Sequence, residues 1–371
     1  MAATEGATDM NARAQTSDWQ PDWATHPGEH LAEIIEARGW SQAEFARLAD
    51  MTPKLVSTII SGKSSVSAET ALKLERVTGM NAYIWAGLQS NWDLHHAREA
   101  ESLASASDWM LRFPVRELQH RGIIPKTRSV AGQRSALLSF FRIGSPDAYE
   151  AKVRSVAAQH RQSKAHASNE HHVFTWLMLG EAKARTMDLP AFDARLFLEA
   201  TRAIRNLTVT EPDVFEPEMR RLCAQAGVAL IFEKPISKTR LFGSARWIDG
   251  DRPIIQMSLR MKSNDHFWWT FFHEAAHIHL HRGQNFMDDQ GSDGDGVERE
   301  ADDWATEALI GRANLDRLIS ARPRSEREVI AAADALGLHP GIIVGMLQHH
   351  GALPFSHLTH LKARFDWVDE A

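Results

Sequence analysis

SQAEFARLADMTPKLVSTIISGK, residues 41–63, packs two helix starts and two helix stops into one short run. Ser41 with Glu44 predicts a capping box, which leaves Phe45, Leu48 and Ala49 on the inner side of a short helix. Asp50 and Met51 form the turn, Thr52 caps a second helix, and Pro53 takes the first helical position, where a missing N–H is tolerated. That helix runs from Pro53 to Ser61 and stops at Gly62. Two short helices joined by a tight turn are what a helix-turn-helix needs, its second helix entering the major groove. Leu55, Val56, Ile59 and Ile60 must fill a core, so Lys54, Ser57 and Thr58 face outward, following Pro53. Gln42 and Lys63 flank this face and are placed to meet phosphates. Any five-helix bundle would carry the same punctuation.

Working outward, a helix from Gly28 to Arg38 stops at Gly39, and Ser67 and Asn81 cap two more, giving five helices within residues 26–98. Across that span seven bases face eight acids, so no strong basic footprint marks the domain. One copy would hold DNA modestly; the expectation is a homodimer on two half-sites of a palindromic operator. Residues 111–165 add eleven bases against three acids and are a candidate source of phosphate contacts. The run from His26 to Trp85, with its HPGE start, SQ opening, SGK exit and AETALKLERVTG stretch, resembles the HigA-type antitoxins of the XRE or Cro-like class. The resemblance implies a lambda-repressor-like fold, binding to double-stranded operator DNA, and autorepression. Asp50 stands where that class usually has glycine, and aspartate tolerates the left-handed conformation better than most residues.

A chain of 371 residues exceeds one ordinary core and suggests two or three domains. The single cysteine, Cys223, excludes an internal disulfide. The first residues carry neither the basic start nor the apolar run of a signal peptide, and no stretch is long enough to cross a bilayer. The expectation is a cytoplasmic protein, without membrane contact, with a disordered tail over residues 1–25. Residues 99–214 read as a helical basic connector, with Trp176, Leu177 and Leu179 as core and His171 and His172 as a solvated helix end.

Residues 215–371 change character. Val228–Phe232 reads as a strand, and Gly243–Ile248 with Pro253–Leu259 as a hairpin turning at Asp249 and Gly250. Asn264 or Asp265 then caps a helix carrying HFWWTFFHEAAHIHLH, ending at Gly283. His273 and His277 are four apart, so both imidazoles leave one face within reach of one cation, and Glu274 flanks it as a candidate general base. Zinc wants a third protein ligand and an open position. On the downstream helix VEREADDWATEALI, Ala301, Ala305, Ala308 and Leu309 set the apolar stripe; Glu298 falls on its side, and the rival Glu300 falls nearer the opposite face. Asp302, one turn on, can accept from a ligand histidine, and His281 returns to the face of His277 as hydrogen-bond support or oxyanion partner. Asp289, Asp293, Gly294 and Glu300 match positions of a calcium loop, but Gly291 interrupts it, so a flexible rim is the simpler account.

The block GSARWIDGDRPIIQMSLRMKSNDHFWWTFFHEAAHIHLH, with EREADDWA after it, resembles the ImmA/IrrE family of gluzincin-type metallopeptidases. Ala276 stands where family members typically have glycine. The resemblance implies a zincin-like domain with a small sheet, Zn2+ held by His273, His277 and Glu298, Glu274 as catalytic base, and cleavage of a repressor protein by pairing it along an edge strand. The fold class expected is therefore α+β, predominantly helical. Two functions compete: a DNA-binding regulator carrying a zinc peptidase, or an antitoxin that neutralises a cognate toxin by binding, its peptidase-like domain silent.

Overall fold

A computed structural model describes residues 24–103, 107–159, 169–286 and 296–367. The expected tail up to residue 23, and the interrupted calcium-loop positions Asp289, Asp293 and Gly294, lie outside those residues. The chain divides into two compact units, residues 1–105 and 106–371.

The described residues of the first unit form five helices: α1 (Pro27–Ala37), α2 (Gln42–Leu48), α3 (Pro53–Ile60), α4 (Ala68–Thr78) and α5 (Ala82–Leu103). Local chemistry sets their ends. Ser41 Oγ accepts from the Glu44 amide at 3.1 Å, Thr52 Oγ1 from Leu55 at 3.1 Å and Ser67 Oγ from Thr70 at 3.2 Å. The α2–α3 turn puts Asp50 at φ 50°, the left-handed conformation a glycine would ordinarily supply. Leu31, Phe45, Val56, Ile59, Leu74 and Trp85 are fully buried at the centre.

Leu48 departs from expectation: it is 54% exposed, and Ala46 joins Phe45 and Ala49 inside. A helix of seven residues has too narrow an inner stripe to hold all four positions, and Leu48 falls off its edge. Gly28 marks the closest approach in the unit, since a Cβ there would lie 2.0 Å from the Ile59 carbonyl oxygen of α3. Its amide donates to His26 Nδ1 at 2.9 Å, the cap of α1.

The second unit begins with α6 (Ser107–Met110), α7 (Val115–His120), α8 (Val130–Phe141), α9 (Pro146–Gln159), α10 (Glu170–Thr186), α11 (Ala194–Arg205) and α12 (Pro212–Gln225). Three strands follow, β1 (Ala229–Phe232), β2 (Gly243–Ile248) and β3 (Arg252–Met257), then α13 (Asn264–Leu280), α14 (Gly296–Leu309), α15 (Arg312–Ala321), α16 (Glu326–Leu336) and α17 (Pro340–His349). The sheet order is β1-β3-β2, with the β2–β3 hairpin antiparallel as expected and β1 parallel to β3.

Helices α12 and α13 cover one face of the sheet, while α10 covers the other. Helix α10 lies so close that a Cβ on Gly180 would meet Gln256 Oε1 at 2.1 Å. A buried polar ladder ties them: Arg246 Nη2 donates to Gln256 Oε1 (2.7 Å) and to the Leu177 carbonyl (3.0 Å), and Gln256 Nε2 donates to the Trp176 carbonyl (2.7 Å). The segment read as a connector thus supplies one wall of this unit. Its histidine pair is not a solvated end, because the Ile236–Thr239 turn and Tyr149 close over it. His172 is buried, with Nδ1 against the Ser237 carbonyl, and His171 Nδ1 meets Tyr149 Oη at 3.1 Å.

The main core runs between sheet and helices, from Phe215, Met219 and Cys223 to Phe271, Leu309 and Ile343. Cys223 is fully buried, and burial pushes its thiol well above the usual range. Among the described residues no single helix is long and apolar enough to cross a membrane.

Candidate metal centre and nucleic-acid interface

Helix α13 is the axis of the second unit, buried along almost its whole length. Its N-cap is Ser263, not Asn264 or Asp265. Those two turn inward instead, Asn264 Nδ2 to His339 Nδ1 (2.7 Å) and Asp265 Oδ2 accepting from Lys362 Nζ (2.6 Å), and these two bonds anchor the helix. Two turns on, His273 and His277 project together, with Nε2 atoms 3.1 Å apart. Helix α14 packs against α13 and brings Glu298 Oε2 to 3.2 Å from His273 Nε2 and 3.5 Å from His277 Nε2.

These spacings fit a metal. Ligands about 2.1 Å from a tetrahedral zinc stand about 3.4 Å from one another. The donors are two imidazole nitrogens and one carboxylate oxygen, the set expected from the sequence. Burial, together with the neighbouring His273 and His281, pushes the His277 imidazole down to about 4 against the pull of Glu298. It is therefore neutral near pH 7, as a ligand must be. Burial alone would raise the Glu298 carboxyl, yet the hydrogen bonds with both imidazoles outweigh it and hold Glu298 far below the usual carboxylate range.

The outer nitrogens are engaged too. His273 Nδ1 donates to Asp302 Oδ1 at 2.9 Å, which orients the ring with Nε2 toward His277 and Glu298. His277 Nδ1 lies 3.1 Å from His281 Nδ1, and His281 Nε2 lies 3.2 Å from Glu300 Oε2. A proton on His281 Nε2 points at the carboxylate, leaving its Nδ1 to accept from His277. Glu300, the rival ligand, thus sits behind His281, on the far side of His277 from Glu298.

Glu274 is fully buried, tucked against β2 where a Cβ on Gly243 would come 2.4 Å from its Oε1. Ala276, at 0% exposure, is accommodated within the core. Phe286 was missed by the sequence reading. It stacks face to face on His277, ring centroids 3.9 Å apart and 12° between planes. No periodicity announces it, because it arrives from the loop after α13.

The same loop touches the edge strand: the Phe286 amide donates to the Ala245 carbonyl (2.7 Å), the Trp247 amide to Asn285 Oδ1 (2.7 Å), and Ser244 Oγ to the Phe286 carbonyl (2.8 Å). The β2 edge, expected to be open for pairing, is therefore held by residues 285–286 at Ala245 and Trp247.

In the first unit, Lys54 and Ser57 stand exposed along α3 beside Pro53, with Gln42 and Lys63 exposed at either side. Thr58 differs: it is half-buried, its hydroxyl donates to the Leu55 carbonyl (3.0 Å) and accepts from Ser64 Oγ (2.9 Å), and its carbonyl accepts the Lys63 and Ser64 amides. It locks the exit from α3, so Lys63 is presented by Thr58.

A helix-turn-helix family profile matches residues 31–84. The chain is 33% identical over 73 residues to the HTH-type transcriptional regulator YddM of Escherichia coli (strain K12), covering 20% of this chain and 78% of that one. It is 32% identical over 77 residues to virulence-associated protein I of Dichelobacter nodosus, covering 20% and 71%. Among solved structures, the Pseudomonas aeruginosa antitoxin HigA with the higBA promoter aligns at 31% identity over 21% of this chain and 87% of that one, with a TM-score of 0.21. Through its first unit the chain belongs to the helix-turn-helix family, of the XRE type. The matched profile ends at residue 84, ahead of the His/Glu cluster.

Proposed function

We propose that the protein is a DNA-binding transcriptional regulator whose second unit is a zinc-dependent peptidase acting on a regulatory protein. The observation that carries the peptidase reading is the convergence of His273 Nε2, His277 Nε2 and Glu298 Oε2, with Glu274 buried on the same helix as the two histidines. Zinc held by these three residues would supply Lewis-acid polarisation of a scissile carbonyl and of a water. Glu274 takes the proton of the attacking water and delivers it to the leaving amine. Asp302 and the His281–Glu300 pair hold the two imidazoles in one tautomer and one orientation.

The test compares new protein N-termini in host cells expressing the wild type or Glu274→Gln, with zinc content measured in both. A cut made only by the wild type supports the peptidase and names its substrate. Equal N-termini from two zinc-loaded proteins refute it, and a small protein co-purifying with the chain would then favour an antitoxin acting by binding.

DNA recognition rests on the exposed face of α3. Lys54→Ala with Ser57→Ala is expected to lower affinity for the chain's own promoter by about 100-fold, since each direct base contact contributes about 1–3 kcal/mol. Zinc content should stay unchanged. Footprinting checks this, and an unchanged footprint would place the reading head elsewhere.

A further inference from the structure

The second half of α5 carries a cluster that neither the family match nor the proposed peptidase uses. His95, His96 and Glu99 bring one ligand atom each to within 4.8 Å of one another. The helix imposes this. Glu99 stands one turn beyond both imidazoles, i,i+4 from His95 and i,i+3 from His96, so its carboxylate reaches back between them. Its Oε2 lies 3.7 Å from His95 Nδ1 and 3.1 Å from His96 Nδ1. We propose that this triad is a second transition-metal site, taking Zn2+ or a similar N/O-seeking divalent ion, distinct from the cluster on α13 and α14.

The chemistry is that of a borderline metal: two imidazoles and one carboxylate, with remaining positions open to water. Glu99 supplies the negative charge that offsets part of the ion's own. His96 is half exposed and Glu99 is 58% exposed, so the site exchanges with solvent and binds more weakly than the buried one.

The surroundings give it a connection to the DNA-facing helix. The His96 ring stands edge-on to Trp92 with centroids 4.2 Å apart, and Trp92 stands edge-on to His26 at 5.1 Å. His26 Nδ1 caps α1 at Gly28, the residue that abuts the Ile59 carbonyl of α3. Burial lowers the pKa of His26, keeping that nitrogen an acceptor. A metal on His96 fixes the orientation of its ring, and so the face that Trp92 rests on. Metal availability thereby bears on the packing that positions α3.

The experiment uses the full chain carrying His277→Ala, which disables the α13–α14 cluster, dialysed against zinc buffered in the micromolar range. The expected result is about one zinc per chain, falling to near zero on adding either His96→Ala or Glu99→Gln. Both substitutions are at partly exposed positions, and circular dichroism verifies that each variant is folded. Co2+ or Cu2+ at the site should also quench a portion of the tryptophan fluorescence that is missing in Trp92→Phe. No zinc bound, or zinc indifferent to His96 and Glu99, overturns the proposal. Whether the wild type binds a further, tighter equivalent is read separately and speaks only to the α13–α14 cluster.

Discussion

Glu298→Ala is expected to weaken zinc binding by about 1000-fold, against about 10-fold for Glu300→Ala, because loss of a ligand's outer partner typically costs only 10–100-fold. The two glutamates are two residues apart on one helix and carry the same side chain, so the pair isolates position from chemistry. Glu298 Oε2 faces the Nε2 atoms of His273 and His277 at 3.2 and 3.5 Å, whereas Glu300 Oε2 lies 3.2 Å from His281 Nε2. Removing Glu298 leaves two imidazoles and water. Removing Glu300 leaves three ligands and a less firmly held His277. Competition with a chromogenic chelator, in a Glu99→Gln background so that only the α13–α14 cluster is read, measures both. Equal losses would dissolve the distinction between ligand and support and, with it, the proposed centre.

Gly28→Ala should be the most damaging single methyl in the first unit. Its new Cβ would sit 2.0 Å from a backbone oxygen of α3. A side chain could rotate away; the Ile59 carbonyl cannot, because it belongs to a helix whose Val56 and Ile59 are fully buried. Overpacking of this kind costs about 3 kcal/mol. Hydrogen exchange resolves the effect by unit: amides of α1 to α3 should lose about 100-fold in protection, while those of α13 keep theirs. Uniform loss across both units would show that they unfold together, and no loss would show that α1 can simply lift away.

What was legible in the sequence was mostly what is local. Ser41, Thr52 and Ser67 cap because the amide each one accepts from lies three residues on, and Asp50 turns because of its own backbone preference. That the two histidines and Glu298 would come together was legible through helix periodicity, which fixes side as well as spacing. Periodicity ran out where a helix was short, as at Leu48, and where a contact came from a loop, as with Phe286 on His277. It also could not say what Glu300 does on the other side of α14, since that depends on where His281 ends up after α13 terminates. The HHARE run at residues 95–99 carries its spacing openly in the sequence, as helix neighbours one turn apart. The parallel pairing of β1 with β3, and the placing of α10 on the sheet, are set by long-range packing that no short pattern contains.

Cys223 gives the molecule a built-in clock. It is the sole thiol in 371 residues, it lies in the core shared by α12, the sheet and α13, and burial keeps it in the unreactive protonated form. Alkylation therefore waits on an opening of the second unit. Each labelled chain, one mass increment heavier, records one such opening. The labelling rate with and without zinc would count how much of that unit's integrity a metal on the His273, His277 and Glu298 cluster contributes.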